Sequence, residues 1–179
     1  TYAGGRLAST ARKDTAGTVL ATSSYQYDAH GRIRAVADPR GGITTYTYYD
    51  DDSVSTVTTA DPDGAGPIAP QVTTTTYTSR GQTDTVTLPD GKTSDTDYFL
   101  TGEVSQVTGS AAPSVAYTYD YAGRAKTLTT QPGTAAAAVT TWNYYTDSGR
   151  LQSKIHAAAS GTESYTWTPG GRVLTKLNA

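Results

Sequence analysis

Two histidines, a run of aspartates and a set of Tyr and Trp rings are the residues of this chain whose types could do chemistry. His30 and His156 are the only imidazoles among 179 residues. General acid–base catalysis needs such groups within hydrogen-bond reach of a reacting atom. His30 occupies the variable position before Gly31 of a turn-like stretch, and His156 follows the strand-like "LQSKI". Both read as exposed turn and strand residues. No Gly-x-Ser-x-Gly elbow or Walker-type phosphate loop accompanies them, so no catalytic residue and no cofactor are assigned.

Asp50, Asp51 and Asp52, with Asp61 and Asp63 further on, offer oxygen ligands of the kind calcium takes. Calcium needs six to eight oxygens converging from a shaped loop, and no EF-hand spacing is present. A solvated acidic turn is the preferred reading, and no metal site is assigned. Trp142, Tyr144, Tyr165 and Trp167 could present flat faces to sugar rings. Packing of the same rings between repeated elements explains them as well. Glycans stand as possible partners, bound on these rings or carried on Thr-rich stretches such as "VTTTTYT" and "TTADPDGAGP".

Composition narrows the classes further. Lys and Arg number 14 against 16 Asp and Glu, a formal charge of -2, so no clustered basic surface for nucleic acid is expected. The 36% hydrophobic content predicts a thin core. Of 17 aromatic residues 14 are Tyr, which suits a half-wetted sheet face. Cysteine is absent, excluding disulfides and thiolate metal sites. No apolar run approaches the length of a membrane-spanning helix. The opening "TYAGGRL" has no Met, basic n-region or apolar h-region, and is read as the start of a mature piece or an excised segment.

What must position these residues is an internal repeat. "YQYDAHGRI" (Tyr25, Tyr27, Asp28, Gly31, Arg32) returns as "YTYDYAGRA" (Tyr117, Tyr119, Asp120, Gly123, Arg124). It comes again as "WNYYTDSGRL" (Trp142, Tyr144, Gly149, Arg150) and "YTWTPGGRV" (Tyr165, Trp167, Gly171, Arg172). "GGRL" at Gly5, "TYTSRGQT" at Gly81 and "TDYFLTGEV" at Gly102 are shorter or degenerate copies. In "YTYYDDDSV", Ser53 is read as standing where the Gly belongs. The aligned positions 5, 31, 53, 81, 102, 123, 149 and 171 give a unit of about two dozen residues, repeated about eight times.

Between these copies lie "DPRGG", "DPDG", "LPDGK" and "QPG", turn chemistry in which Pro presets φ and Gly supplies a positive one. The intervening Thr-, Val- and Tyr-rich runs favour strands. Spacing of two in Tyr-x-Tyr puts both rings on one face of a strand. Each unit therefore predicts a strand, a Gly-Arg turn, a returning strand such as "RIRAVAD" and a Pro-Gly turn. Within it Asp accepts backbone hydrogen bonds and Gly takes the left-handed conformation. Arg lies over a neighbouring Tyr face or pairs with an Asp of the adjacent repeat.

The linked motifs Tyr-x-Tyr-Asp-x-x-Gly-Arg and Asp-Pro-x-Gly, alternating from Tyr2 to about Leu177, resemble the YD repeat, also called the Rhs repeat. The resemblance implies an all-β fold of repeated antiparallel hairpins in a curled, spiralling sheet. In Rhs toxins, Tc-toxin C subunits and teneurins such repeats form a hollow shell, which in the toxins encloses an effector. Related repeats occur in bacterial wall-associated proteins. About eight units are too few for the large shell, and the self-cleaving motif of the family is missing. "DPDGAGP" shares only its first letters and is read as an ordinary turn.

Residues 1–179 are accordingly expected to be a single array, a segment of a longer, secreted or cell-surface, non-enzymatic shell or scaffold. Its expected partners are neighbouring repeats of the same or identical chains and an enclosed effector domain. Bare ends without caps imply either continuing repeats or pairing with other copies. The second reading is an extracellular fibre or adhesive module assembled through strand edges.

Overall fold

A computed structural model describes residues 1–64, 66–157 and 161–178. The fold is all-β, and no helix occurs among the described residues. Two compact units divide the chain, Thr1–Thr93 and Ser94–Ala179.

The first unit contains β1 (Tyr2–Ala3), β2 (Arg6–Leu7), β3 (Ser9–Lys13), β4 (Val19–Tyr27), β5 (Ile33–Ala37), β6 (Ile43–Tyr48), β7 (Val54–Thr58), β8 (Val72–Tyr77) and β9 (Thr83–Thr87). β1 and β2 form a two-stranded ribbon, and β3 to β9 pair antiparallel in chain order. The second unit contains β10 (Thr93–Tyr98, its first residue closing the first unit), β11 (Val104–Thr108), β12 (Val115–Tyr119), β13 (Ala125–Thr130), β14 (Ala138–Tyr144), β15 (Leu151–Ile155), β16 (Thr162–Trp167) and β17 (Val173–Asn178). These strands too pair antiparallel, each with its sequence neighbour.

Side-chain alternation sorts the residues into two unlike faces. Cross-strand partners Tyr46, Val57 and Thr73 share one face of the first unit; Tyr117, Leu128 and Thr140 share the corresponding face of the second. The opposite face is hydroxylic. Thr47, Thr56 and Thr74 line up there, as do Thr118, Thr127 and Thr141. The Thr47–Thr56, Thr118–Thr127 and Thr166–Thr175 hydroxyls meet at 2.6 Å. Such pairs stabilise a sheet without a core.

A core in the ordinary sense is indeed missing. Among the described residues, Ala35 is the one buried hydrophobic side chain. Stability must therefore come from ladder hydrogen bonds and from side chains linking one hairpin to the next.

The Gly-Arg punctuation and two of the four Pro-Gly stretches, "DPRGG" and "LPDGK", fold into one kind of turn; "DPDG" lies in a longer loop closed by Thr59 N–H on the Gln71 carbonyl, and "QPG" closes differently. In the Gly-Arg turn after β4, Gly31 N–H donates to the Asp28 carbonyl at 3.1 Å and Asp28 N–H to the Arg32 carbonyl at 2.9 Å. In the Pro-Gly turn after β5, Gly41 and Asp38 repeat the pattern at 3.0 and 2.8 Å. A four-residue turn followed by a left-handed residue is a common hairpin closure, and it adds a bulge that tightens the local twist. The register of β4 against β5 also shifts between Gln26 and Tyr27, an irregularity that β5 against β6 does not share although its turn is the same.

One alignment is corrected at this level. Ser53 does not occupy the glycine position of its turn. Asp52 does, with φ 68°, and Ser53 takes the place that Arg32 holds one repeat earlier, its carbonyl accepting from Tyr49 N–H at 2.9 Å. Asn and Asp tolerate the left-handed region better than other non-glycine residues, which is how the turn survives without Gly. In the "DPDGAGP" stretch Asp61 accepts from Asp63 N–H and Asp63 from Ile68 N–H, at 3.2 and 3.1 Å; Ala65 lies outside the described residues.

Candidate functional site

The side chains named by the repeat meet where each Gly-Arg turn faces the turn of the following repeat. Three devices join the hairpins there.

The second aromatic residue of each motif reaches back to the preceding repeat. Tyr27 Oη donates to the Leu7 carbonyl at 2.9 Å, Tyr48 to Ile33 at 2.6 Å and Tyr77 to Val54 at 3.0 Å. In the second unit Tyr119 donates to Val104 at 3.0 Å and Tyr144 to Ala125 at 2.8 Å. Trp167 substitutes an indole N–H, donating to Leu151 at 2.8 Å. Every acceptor is the residue immediately after the Arg position of its repeat. Burial pushes the Tyr48, Tyr119 and Tyr144 hydroxyls up in pKa, which keeps them protonated and able to donate.

Arginine reaches the other way. Asp28 clamps Arg32 through its Nε at 2.7 Å, and Arg32 then lies 4.5 Å over the Tyr48 ring. Its Nη1 reaches Asp52 at 2.6 Å and the Tyr49 carbonyl at 3.1 Å, both in the next turn. Asp120 holds Arg124 by the same contact, 2.7 Å to Nε; Arg124 lies 4.3 Å over Tyr144 and donates to the Gly149 carbonyl at 2.7 Å. Arg150 donates to the Thr168 carbonyl at 3.0 Å. A planar guanidinium suits this task, offering donors at its edge and a flat face to the ring.

The third device replaces the second. Where the Asp position is aromatic and the Arg position is not Arg, the ring itself covers the next tyrosine. Tyr49 meets Tyr77 edge-on at 6.2 Å, with Ser53 in the Arg position. Phe99 meets Tyr119 at 6.0 Å and 90°, with Glu103 in the Arg position. An Asp-clamped cation and an aromatic edge are both attracted to a ring face, because that face carries negative charge.

Carboxylate-to-backbone bonds complete the turn geometry. The Asp120 carboxylate accepts from Ala122 N–H at 2.9 Å and Arg124 N–H at 3.0 Å, two and four residues on; Asp28 accepts from Arg32 N–H at 2.9 Å. The turn glycines serve twice. Gly31 has φ 88°, and a Cβ built on it would fall 1.9 Å from an Arg6 guanidinium nitrogen. The left-handed backbone disfavours a side chain there, and a Cβ would have to displace the Arg6 guanidinium.

Other expected residues are placed as follows. Trp142, Tyr144, Tyr165 and Trp167 are half-buried, not the exposed rings expected for a sugar platform. Tyr144 and Trp167 are committed to inter-repeat bonds, and Tyr165 donates to Glu163. Lys154 lies 5.8 Å over Trp142 and Lys176 lies 5.7 Å over Tyr165. His30 is exposed in its turn. His156 is half-buried, with Nε2 at 3.3 Å from a Glu163 oxygen, a pairing that strand propensity alone gave no way to see. Glu163 gathers Tyr165, His156 and Lys176, and those hydrogen bonds hold its carboxyl down at about 2.

Two of the three aspartates of the acidic turn are engaged within the protein. Asp51 accepts from Ser53 N–H at 3.0 Å and Asp52 pairs with Arg32. Among the described residues no three His, Asp or Glu side chains converge as a metal cage would require. No helix among the described residues is long and apolar enough to cross a membrane.

This lattice of hairpins is similar to solved toxin chains. A TcdB2-TccC3 structure without its hypervariable C-terminal region matches 96% of this chain with a TM-score of 0.63 and 14% identity. The fold is that of the matched stretch of that chain. A second TcdB2-TccC3 structure, with TEV, matches 91% at TM-score 0.52, and a Photorhabdus luminescens Tc holotoxin pore matches 95% at 0.50, both at 14% identity. This chain spans 11–12% of the length of those chains. No protein-family model matches the sequence, and no curated protein does.

Proposed function

We propose that this chain is a structural, non-enzymatic segment of a larger secreted or surface YD-repeat protein. It forms part of a β-shell or scaffold that encloses or displays another domain. The observation that carries this reading is the direction of the side-chain bonds. Tyr27, Tyr48, Tyr77, Tyr119, Tyr144 and Trp167 all spend their polar atoms on the backbone of the preceding repeat. Tyr144 and Trp167, two of the rings that a sugar-binding reading would use, are among the side chains that hold the hairpins together. Similarity to about a tenth of a Tc toxin chain supports a wall segment within a longer array.

Partners in this reading are neighbouring repeats and an enclosed domain, and the extracellular side of the cell is the place such a protein works. Electron microscopy of native particles, with the intact mass of the polypeptide, tests it. A hollow particle built from one much longer chain is the expected result. Long filaments assembled from this short chain alone, with added mass on threonine, would replace the shell with a glycosylated fibre.

A further inference from the structure

Each Gly-Arg turn is a seat for the arginine of the repeat before it. A Cβ built on Gly149 would lie 2.8 Å from an Arg124 nitrogen, and one on Gly171 would lie 3.2 Å from an Arg150 nitrogen. In the filled seat the guanidinium meets a carbonyl of the turn and, for Arg124, the Tyr144 ring.

One seat in the second unit holds no arginine. The repeat that should fill it carries Glu103 in the Arg position, and the Glu103 carboxylate faces the turn glycine, 3.4 Å from where a Cβ on Gly123 would lie. A cleft of about 310 Å³ remains there, lined by Phe99, Thr101, Glu103, Tyr119, Tyr121 and their neighbours. Tyr121 stands at the cleft 95% exposed. A Thr101 hydrogen bond keeps the Glu103 carboxyl below its ordinary range, so it is charged at neutral pH. Among the described residues of this unit no salt bridge reaches it.

We propose that this cleft binds an arginine side chain supplied by a partner polypeptide. Glu103 would pair with the guanidinium, and the exposed ring of Tyr121 would receive its flat face, since Phe99 already covers Tyr119. The charge is complementary, and the same scaffold seats a guanidinium against the next turn wherever it carries one of its own. A related cleft of about 460 Å³ opens in the first unit beside Tyr49 and Tyr77, where Ser53 replaces Arg. The inference rests on turn geometry and holds whether or not the chain belongs to a shell.

The test is a titration of the 179-residue chain with N-acetylarginine amide and, separately, with the neutral isostere N-acetylcitrulline amide, followed by NMR. Saturable shifts confined to residues 101–103 and 119–123 are expected for the arginine compound. Citrulline, or the Glu103→Gln variant with arginine, should bind at least about tenfold more weakly, the loss of one charge-assisted contact. Glu103→Arg should fill the cleft itself, abolish the shifts and raise the melting temperature. Equal binding of arginine and citrulline, insensitivity to Glu103→Gln, displacement by a neutral oligosaccharide, or no localised shift would each overturn the proposal. Glu103→Gln is near-isosteric and keeps the test valid if Glu103→Arg fails to fold.

Discussion

Tyr144 Oη donates a 2.8 Å hydrogen bond to the carbonyl of Ala125, nineteen residues earlier and one repeat back. The bond joins a side chain at the end of one hairpin to the backbone at the start of the strand before it. It is half-buried, and the same contact recurs from Tyr27 to Trp167. In a fold with almost no buried apolar side chain, such ties carry weight that a core would carry elsewhere.

Removing one tie should be measurable. Tyr144→Phe leaves the Ala125 carbonyl without its side-chain donor and should cost about 1 kcal/mol, lowering Tm by roughly 2–4 °C for a chain of this size. Tyr121→Phe removes a hydroxyl from a ring that is 95% exposed and should leave Tm unchanged. Calorimetry of the two variants separates them, and equal effects would mean that Tyr144 packs but does not tie.

The turn glycine makes a sharper demand. Gly123 sits at φ 74°, where a β-branched residue is strained by about 1–3 kcal/mol. Gly123→Val should therefore lower Tm well below that of Gly123→Asn, since Asn accepts the left-handed region at lower cost. Matching melting curves for the two variants would reject the assignment of strain to this turn.

Much of this was legible beforehand because it is local. Tyr-x-Tyr fixed the shared ring face, Pro-Gly and Gly-Arg fixed the turns, and the Thr runs fixed the strands. What escaped is set by contacts about twenty residues apart. Nothing in "YTYYDDDSV" says that Asp52 rather than Ser53 bends left-handed; that depends on the register of β6 against β7 and on Arg32 waiting one repeat away. The exchange of Asp and Arg for Tyr49 and Ser53, or for Phe99 and Glu103, looked like decay of the motif. In three dimensions it is a second way to cover the next tyrosine. The pairing of His156 with Glu163 was likewise invisible, because it crosses from the end of β15 into β16.

Acid should loosen the lattice in a defined order. Hydrogen bonding from Arg124 holds Asp120 below its ordinary 3.8; for Asp28 desolvation opposes, yet the Arg32 bonds still lower it. Hydrogen bonds from Tyr165, His156 and Lys176 hold Glu163 at about 2. A carboxyl with a depressed folded pKa adds stability that is complete above its unfolded value and vanishes as pH falls through the folded one. Tm should thus be flat in this respect from pH 7 to about 5 and fall below about 4.5, with the share of Glu163 lost last, near pH 2. Glu163→Gln should lower Tm at pH 7 and converge on the parent at the acid end. A gap that stays constant with pH would remove Glu163 from this account.

Asp52 sets two effects against each other, and their magnitudes decide the outcome. Its side chain is 70% exposed, so its pair with Arg32 is a solvated salt bridge of small worth, and Arg32 keeps Asp28, the Tyr49 carbonyl and the Tyr48 ring without it. Its φ of 68° is the costlier feature, of order 1 kcal/mol for a residue with a Cβ. Asp52→Gly should therefore hold or raise Tm, by up to about 4 °C. Asp52→Ala loses the ion pair and keeps the strain, so it should melt lower than the parent. If Asp52→Gly melted as low as Asp52→Ala, the ion pair with Arg32 would outweigh the backbone strain at this turn, and the inter-repeat cation would matter more than the conformation of the loop that receives it.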